Sequence, residues 1–224
     1  MAATAPVFAT LKAELDVRGA GLRAAFADAC STGQPKLDEV LCGGFVRGTI
    51  ATLEGGPSSG RTAVLASVLA RATQSGLAAV IDDSTLYPPA LEHAGVCLDR
   101  LLVVRLEAPL QAARAADILL RARAFAVVAV TALAEKHDVL RAAIWSRLAG
   151  LAHKAGSVLL VLNAQADREL APFATTRLRC AIDRVVWSDA PARLHELAGY
   201  EIAAGVIKHR RTLPGARATL QAQT

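Results

Sequence analysis

Between residues 37 and 163 the sequence alternates short, continuously apolar runs with segments of helical periodicity. Apolar runs without polar alternation are typical of strands buried on both faces, as in parallel sheets that helices cover on both sides. The alternation therefore predicts an α/β fold with a largely parallel central sheet flanked by helices. The predicted strands are 49–53, 78–81, 101–106, 125–130 and 157–162, and the predicted helices between them are 61–74, 88–94, 110–123 and 138–154.

Both ends of the chain differ in pattern from this central region. Large apolar residues between Phe8 and Phe26 recur at roughly helical spacing, which predicts a helical arm over residues 1–30 ahead of a core domain of residues 31–224. Toward the other end, apolar stretches separated by turn residues predict antiparallel hairpins that extend the sheet. These predicted strands are 177–187, 200–209 and 216–223.

Composition limits the classes of protein that the chain can belong to. Of its 224 residues 53% are hydrophobic and 4% are aromatic, which is sufficient for an aliphatic core, and we expect Trp145 and Trp187 at packing positions. The formal net charge of +5 permits contact with polyanions without requiring it. The four cysteines are far apart and the five histidines lack ligand spacing. We therefore expect reduced thiols and no metal site.

Neither a leader nor a membrane helix is expected from the sequence. The opening residues MAATAPVFAT lack the basic start and apolar stretch of a signal peptide. The longest nearly apolar run, residues 124–134, is shorter than the roughly 20 residues that a membrane helix needs. We therefore expect a cytoplasmic protein without a membrane partner.

Residues 55–62, GGPSSGRT, follow a predicted strand and precede a predicted helix. Gly55, Gly60 and Thr62 have the spacing of a phosphate-binding loop, in which backbone N–H groups converge on phosphate oxygens and the next helix adds its positive end. Arg61 stands where such loops have a lysine. A guanidinium is planar and wider than an ammonium, so this replacement is not conservative at a tight phosphate site. We expect the loop to form with altered electrostatics.

A nucleotide hydrolase would also need carboxylates near this loop, one of them at the end of a later buried strand to hold magnesium. The candidate strand ends at Thr131, which carries no charge. Asp82 and Asp83 follow another strand and have two interpretations: they approach the phosphates, or they are solvated or cap the next helix. Taken together, these positions favour a chain that does not hydrolyse ATP. No cofactor is expected, although bound ATP or magnesium is compatible with the loop.

The order of these and other motifs resembles the RecA recombinase core. The resemblance covers about residues 31 to 220 and implies a RecA-like ATPase fold with a C-terminal hairpin extension. It rests on residues 31–33 (STG), 37–38 (LD), 43–44 (GG), 47–48 (RG), 55–60 (GGPSSG), 80–82 (VID), 159–163 (LLVLN) and 206–208 (VIK), with Pro214 following.

Several positions depart from the pattern of active RecA proteins. By the resemblance, Arg61 replaces the loop lysine, Thr131 the magnesium-associated aspartate and Ser84 the catalytic glutamate. Ala164 stands at the position of the phosphate-sensing glutamine, and a short segment, 165–175, occupies the place of a DNA-binding loop. The resemblance therefore implies a RecA relative without catalytic residues. A RecA-like ATPase or DNA-binding protein with an arginine-variant loop is the alternative.

Small RecA relatives with eroded nucleotide motifs include the ImuA and SulA families. The length, the complete core and the SSGRT loop are most similar to the ImuA family of mutagenesis accessory proteins. That resemblance implies a role in the SOS response to DNA damage, in translesion synthesis. The implied partners are RecA, a Y-family polymerase homologue of the ImuB type and an error-prone polymerase. A SulA-like inhibitor of cell division is a further alternative.

The resemblance also implies a role for the basic residues near the carboxyl terminus. In RecA filaments ATP lies between protomers, and the neighbour contributes two lysines at i and i+2 ahead of a proline. Lys208 and Arg210 have this spacing ahead of Pro214, and Arg211 is adjacent. This implies contact with a RecA protomer or a phosphate, so that the chain would end a RecA filament. Alternatively, these residues form a solvated strand end or a patch that contacts DNA weakly.

Overall fold

The computed structural model describes residues 28–133, 140–187 and 197–223. Most of the predicted amino-terminal arm, residues 1–27, lies outside this range. Ten strands, five α-helices and one 3₁₀ helix occur in the described residues. The strands are β1 (Ala29–Cys30), β2 (Phe45–Val46), β3 (Ile50–Glu54), β4 (Leu77–Asp82), β5 (Leu101–Arg105), β6 (Phe125–Val130), β7 (Val158–Asn163), β8 (Ala174–Trp187), β9 (Leu197–Lys208) and β10 (Arg217–Gln223). The helices are α1 (Pro35–Val40), α2 (Arg61–Ser75), α3 (Pro88–His93), α4 (Pro109–Ala122), α5 (Ala142–Ala155) and the 3₁₀ helix Leu98–Arg100.

Eight strands form one sheet in the order β10-β9-β8-β3-β7-β6-β4-β5. Strands β3 to β8 are parallel to their neighbours among themselves, whereas β9 is antiparallel to β8 and to β10. This confirms the predicted α/β fold, with its largely parallel centre and its antiparallel C-terminal extension. The central strands β4, β6 and β7 are almost continuously apolar because helices cover both faces of the sheet.

Two layers of apolar side chains separate the sheet from its helices. Leu65 and Leu69 of α2 belong to the layer on one face, and Trp145 of α5 belongs to the layer on the other. Every residue of β7 is buried between them. Trp145 is 2% exposed, as predicted for a packing position, but Trp187 at the end of β8 is 57% exposed, so that part of the prediction is wrong.

Small elements ahead of β3 were not predicted. Strands β1 and β2 pair over two residues each, which is too short to leave a periodic pattern. Helix α1 begins at Pro35, a residue suited to the first turn because its missing N–H has no partner there in any helix. The Asp38 carboxylate accepts hydrogen bonds from Thr32 N and Thr32 Oγ1, both at 2.7 Å, and fixes the entry to this helix.

The parallel arrangement brings the carboxyl ends of β3, β4, β6 and β7 to one edge of the sheet. Residues that follow these strands are therefore neighbours in space even where they are far apart in sequence. Within the described part of the chain, no helix combines the length and the apolar character that crossing a membrane would require.

Candidate functional site

The predicted phosphate loop lies at this edge, between β3 and α2. The loop starts beside β7, where Gly55 N donates a hydrogen bond of 3.0 Å to Asn163 O. A cavity of about 520 Å³ opens next to it. Loop residues, Asp83, Thr131 and two residues of β9, Tyr200 and Ile202, contribute to the cavity wall. The structure thus brings the predicted loop residues together with the ends of β4 and β6.

Two glycines are required by the geometry of this loop. Gly60 precedes α2 with a φ of 85°, and a Cβ there would lie 2.6 Å from the Ile202 side chain. At Gly55 a Cβ would lie 2.7 Å from Cys180 O and would overlap the Ser59 hydroxyl. The strand–loop–helix unit is therefore packed tightly against β8 and β9, and larger residues at either position would displace it.

The Arg61 side chain is turned back into the loop. It is 8% exposed, and its Nη1 donates a hydrogen bond to Gly55 O. Burial raises the pKa of the Cys180 thiol to about 12, and the nearby positive charge of Arg61 opposes part of this rise. The next residue, Thr62, is exposed at the cavity. The guanidinium therefore contributes to the stability of the loop itself.

Asp82 and Asp83 have different surroundings. Asp82 is fully buried, and its carboxylate accepts hydrogen bonds from Thr131 Oγ1 at 2.7 Å, Thr85 Oγ1 at 2.9 Å and Leu86 N at 3.1 Å. Burial alone would raise the pKa of Asp82, but these hydrogen bonds hold it below its usual value. Neither interpretation fits Asp82: it is not among the residues that line the cavity, and it is neither solvated nor a cap of the next helix, which begins at Pro88. Its carboxylate instead holds the turn after β4.

Asp83, in contrast, is half-buried in the cavity wall. Its Oδ1 is shielded from solvent and accepts no hydrogen bond from the described residues. Among the residues that line this cavity, Asp83 is the one with a carboxylate. Because Arg61 lines the same cavity, the cavity wall contains one acidic and one basic side chain.

A buried ion pair beneath the loop was missed by sequence reasoning. Glu54, the last residue of β3, is 2% exposed. Its Oε1 and Oε2 accept hydrogen bonds from Arg177 Nε at 2.6 Å and Arg177 Nη2 at 3.1 Å, and Thr52 Oγ1 donates to Oε1 at 3.1 Å. A glutamate that closes an apolar strand is the one local signal. Its partner lies 123 residues further along the chain, beyond any local pattern.

These residues do not fit Mg²⁺–ATP in the way that a hydrolytic P-loop site holds it. Such a site needs a basic side chain directed at the phosphates and a carboxylate that is available to the magnesium shell. Arg61 is bonded to the loop backbone and Asp82 to Thr131 and the following turn. Within the described ranges, no group of three or more His, Cys, Asp or Glu residues is arranged to hold a metal ion.

The basic residues near the carboxyl terminus lie far from the loop. Lys208, Arg210 and Arg211 are exposed, and Lys208 is six residues along β9 from Ile202, the residue that packs at Gly60. At the rise of an extended strand this separation is about 20 Å. The adjacent turn is held by Thr212 Oγ1, which donates to Val40 O at 2.6 Å. The structure thus separates the two groups of predicted site residues into two surfaces.

The segment in the predicted place of a DNA-binding loop, residues 165–175, is packed against the domain. Asp167 Oδ1 accepts hydrogen bonds from Glu169 N at 2.8 Å and Leu170 N at 2.9 Å, and Leu170 is fully buried. The Glu169 carboxylate accepts a hydrogen bond of 2.7 Å from Ala142 N at the start of α5. An acid at the positive end of a helix is favourable. This segment therefore caps α5.

The fold and the site together define an α/β protein of the P-loop type. In this protein the side chains of Arg61 and Asp82 are hydrogen-bonded to other groups of the same chain. Residues 19–155 match the RecA N-terminal domain family. This span is more than half of the chain, and the chain belongs to the RecA family.

Curated relatives agree with this assignment. Protein RecA of Methylococcus capsulatus is 39% identical over 110 residues, which cover 48% of this chain and 32% of the relative. Protein RecA of Corynebacterium diphtheriae is 30% identical over 155 residues, which cover 60% and 42%. The chain thus matches less than half the length of these relatives. The crystal structure of the RadB recombinase superposes with a TM-score of 0.67 at 20% identity, covering 86% of this chain and 95% of that one, and shows the shared fold.

Proposed function

We propose that this chain is a RecA-family accessory protein of DNA repair that does not hydrolyse ATP and acts through protein contacts. In the more specific form of the proposal, it is an ImuA-type protein of damage-induced translesion synthesis in the cytoplasm. Its partners are then RecA, a Y-family polymerase homologue of the ImuB type and an error-prone polymerase. The observation that carries the proposal is the hydrogen bond from Arg61 to Gly55 O within the phosphate loop.

This hydrogen bond opposes the use of Arg61 as a phosphate ligand. To reach a phosphate, the guanidinium would have to give up its hydrogen bond to the partly buried Gly55 carbonyl. The loss of a hydrogen bond to a charged donor costs about 1.5 to 3 kcal/mol. The loop has both glycines although Arg61 stands in place of the lysine. This supports a loop whose role is to pack between α2, β8 and β9.

The surroundings of Asp82 support the same proposal. Thr131 donates a hydrogen bond to Asp82 at the position where, by the resemblance, active relatives have a second carboxylate. A fully buried Asp82 with three hydrogen-bond donors is not available to a magnesium shell. Ser84, which replaces the catalytic glutamate by the same resemblance, has no carboxylate to activate an attacking water.

The exposed basic surface supports contact with RecA. Lys208 and Arg210 are both basic, like the two lysines of RecA at this spacing, and they are exposed at the end of β9 that lies away from the phosphate loop. In the proposed arrangement they contact the ATP of a terminal RecA protomer, and the altered loop of this chain then faces away from the filament. A chain bound in this way would cap the filament.

A second candidate function rests on Asp83. Because its carboxylate lies in the cavity wall beside the loop, it is the residue that would recruit magnesium if the chain were an ATPase with an arginine-variant loop. In that case turnover would require Arg61 and Asp83 together. Replacement of Asp82 would then act through stability alone.

Steady-state ATP hydrolysis on single-stranded DNA tests the proposal. It is measured for the purified protein alone and then for RecA with substoichiometric amounts of the protein added. We expect no hydrolysis by the protein alone, and suppression of RecA turnover at low ratios because each bound chain blocks the end of a filament. Hydrolysis that is abolished by Arg61→Ala and by Asp83→Asn would establish the second candidate instead. An absence of both effects would contradict filament capping and favour a polymerase-type partner.

A further inference from the structure

Helices α4 and α5 pack side by side on one face of the sheet and carry an excess of positive charge. Besides His153, they contain one acidic residue, Asp117, and four basic residues, Arg114, Arg121, Arg147 and Lys154. Two of these cations share the single carboxylate, because Asp117 accepts hydrogen bonds of 2.7 Å from both Arg147 Nε and Arg121 Nε. These bonds, that from Arg147 first, hold the pKa of Asp117 below its usual value. The one acidic group of the two helices is therefore already neutralised by neighbouring arginines.

Helix α4 has a second apolar side that faces solvent. Its side toward the sheet consists of five buried residues, Ala112, Ala113, Ala116, Leu119 and Leu120. Leu110 and Ile118, in contrast, are 51% and 67% exposed. Arg114 stands midway between them, and residues four apart lie on the same side of a helix. A surface helix ordinarily has one apolar face, directed at the core, so this second apolar side is available to another molecule.

A groove of about 390 Å³ runs between this side of α4 and the neighbouring α5. Its lining includes Ala113 and Leu148, which are both buried, and Ile144, which is half-buried. Arg114 and Arg147 also line the groove and are exposed. Arg147 uses Nε for Asp117, and its side chain is 63% exposed, so its Nη groups can donate hydrogen bonds to a second carboxylate. The groove thus has an apolar floor and two cationic side chains at its edge.

Both properties of the groove restrict the chemistry of its partner. A nucleic acid would use the cations and leave Leu110 and Ile118 in water, and a purely apolar segment would leave the two arginines unpaired. We propose that the α4–α5 groove is a docking site for an acidic protein segment, which packs apolar side chains against Leu110 and Ile118 and places carboxylates beside Arg114 and Arg147. Complementary charge would select such a segment over a basic one. The inference goes beyond the proposed function, because the groove contains no residue of the phosphate loop or of the basic cluster 208–211.

Selection of a random peptide library on the immobilised protein supplies the probe for this site. We expect the selected peptides to combine carboxylates with large apolar side chains. The peptide that binds most tightly is then labelled and titrated with the protein by fluorescence anisotropy. Ile118→Ser and Arg114→Glu should each weaken binding at least about tenfold, since the first removes apolar contact and the second reverses a charge. Added salt should weaken binding to the original protein and to Ile118→Ser more than to Arg114→Glu.

Matched variants separate the groove from the rest of the surface. Arg71→Glu reverses an exposed arginine of α2, which lies on the other face of the sheet, and Leu213→Ser changes a side chain that is 83% exposed outside the groove. Lys208→Glu combined with Arg210→Glu removes the other basic cluster. None of these controls should alter peptide binding by more than about twofold. The groove variants change exposed side chains, so their melting temperatures should stay close to that of the original protein.

Three results would overturn the inference. The first is equal affinity of the peptide for the original protein and for Ile118→Ser or Arg114→Glu, which would place the peptide elsewhere. The second is displacement of the peptide by a single-stranded DNA oligonucleotide, which would identify a surface for nucleic acid. The third is a selection that yields no acidic, apolar peptide. None of them bears on the proposed function, which is tested separately by ATP hydrolysis and RecA turnover.

Discussion

The middle of β9, beside the phosphate loop, and the carboxyl end of β9 differ in how the protein uses its polar groups. Near Ile202, at the phosphate loop, Arg61 and Asp82 are buried and bonded to neighbouring groups of the same chain. Near Lys208, the basic side chains are exposed, and the backbone turn is held by Thr212. Groups bonded internally stabilise the fold and are not available to ligands, whereas exposed charges add little stability and are available. The polar groups at the phosphate loop therefore stabilise the structure, whereas the exposed basic side chains are the ones that we propose contact a partner.

The largest expected effect at the loop end comes from the buried ion pair. Arg177→Met would leave Glu54, which is 2% exposed, without its cationic partner. We expect the free energy of unfolding to fall by about 3 to 5 kcal/mol in urea denaturation. The double variant Glu54→Gln with Arg177→Met should recover part of this loss, since no buried charge is then unpaired. A loss below about 1 kcal/mol in the single variant would show that the pair is accessible to water.

A comparison of two glycines sharpens the contrast between the phosphate loop and the basic end of β9. Gly60 and Gly215 both have a positive φ, at 85° and 95°. A Cβ at Gly60 would meet Ile202, whereas a Cβ at Gly215 would meet nothing within 4 Å. Gly60→Ala should therefore cost about 3 kcal/mol, from backbone strain and overpacking together, and Gly215→Ala about 1 kcal/mol from strain alone. Equal losses in thermal denaturation would mean that the loop is loosely packed.

The hydrogen bond between Thr131 and Asp82 gives a pH-dependent prediction. Burial opposes ionisation of Asp82, but its hydrogen bonds hold the pKa below the value of an unfolded chain, about 3.9. The contribution of the ionised group is therefore complete above that value and is lost as the pH falls below it, through the lower pKa of Asp82 in the folded protein. Thr131→Val should be destabilised by about 1 kcal/mol at pH 7, from loss of this hydrogen bond. The difference in the free energy of unfolding between Thr131→Val and the original protein should narrow as the pH falls below about 4. A difference that stays constant over this range would assign the effect to packing.

Most of the sheet could be predicted from the sequence, because its strands are continuously apolar and its helices periodic. Strand 125–130 has the predicted bounds, and α2 extends one residue beyond its prediction. The loop residues were found because glycine spacing is a local property. The direction of the Arg61 side chain could not be found in this way, since its position depends on contacts between residues that are distant in sequence. For the same reason the pairing of Glu54 with Arg177 and the exposure of Trp187 required the structure.

The smallest expected change in stability is at the basic end, and it tests the comparison most directly. Lys208→Glu combined with Arg210→Glu alters two exposed side chains, of which Lys208 makes one hydrogen bond of 3.5 Å to Ala171 O. The free energy of unfolding should change by no more than about 0.5 kcal/mol in urea denaturation. Binding to RecA filaments, measured by fluorescence anisotropy at low ionic strength, should nevertheless weaken at least about tenfold and lose most of its dependence on salt. Unchanged affinity for the filament would rule out the proposed contact, and a large loss of stability would mean that this end of β9 also serves the fold.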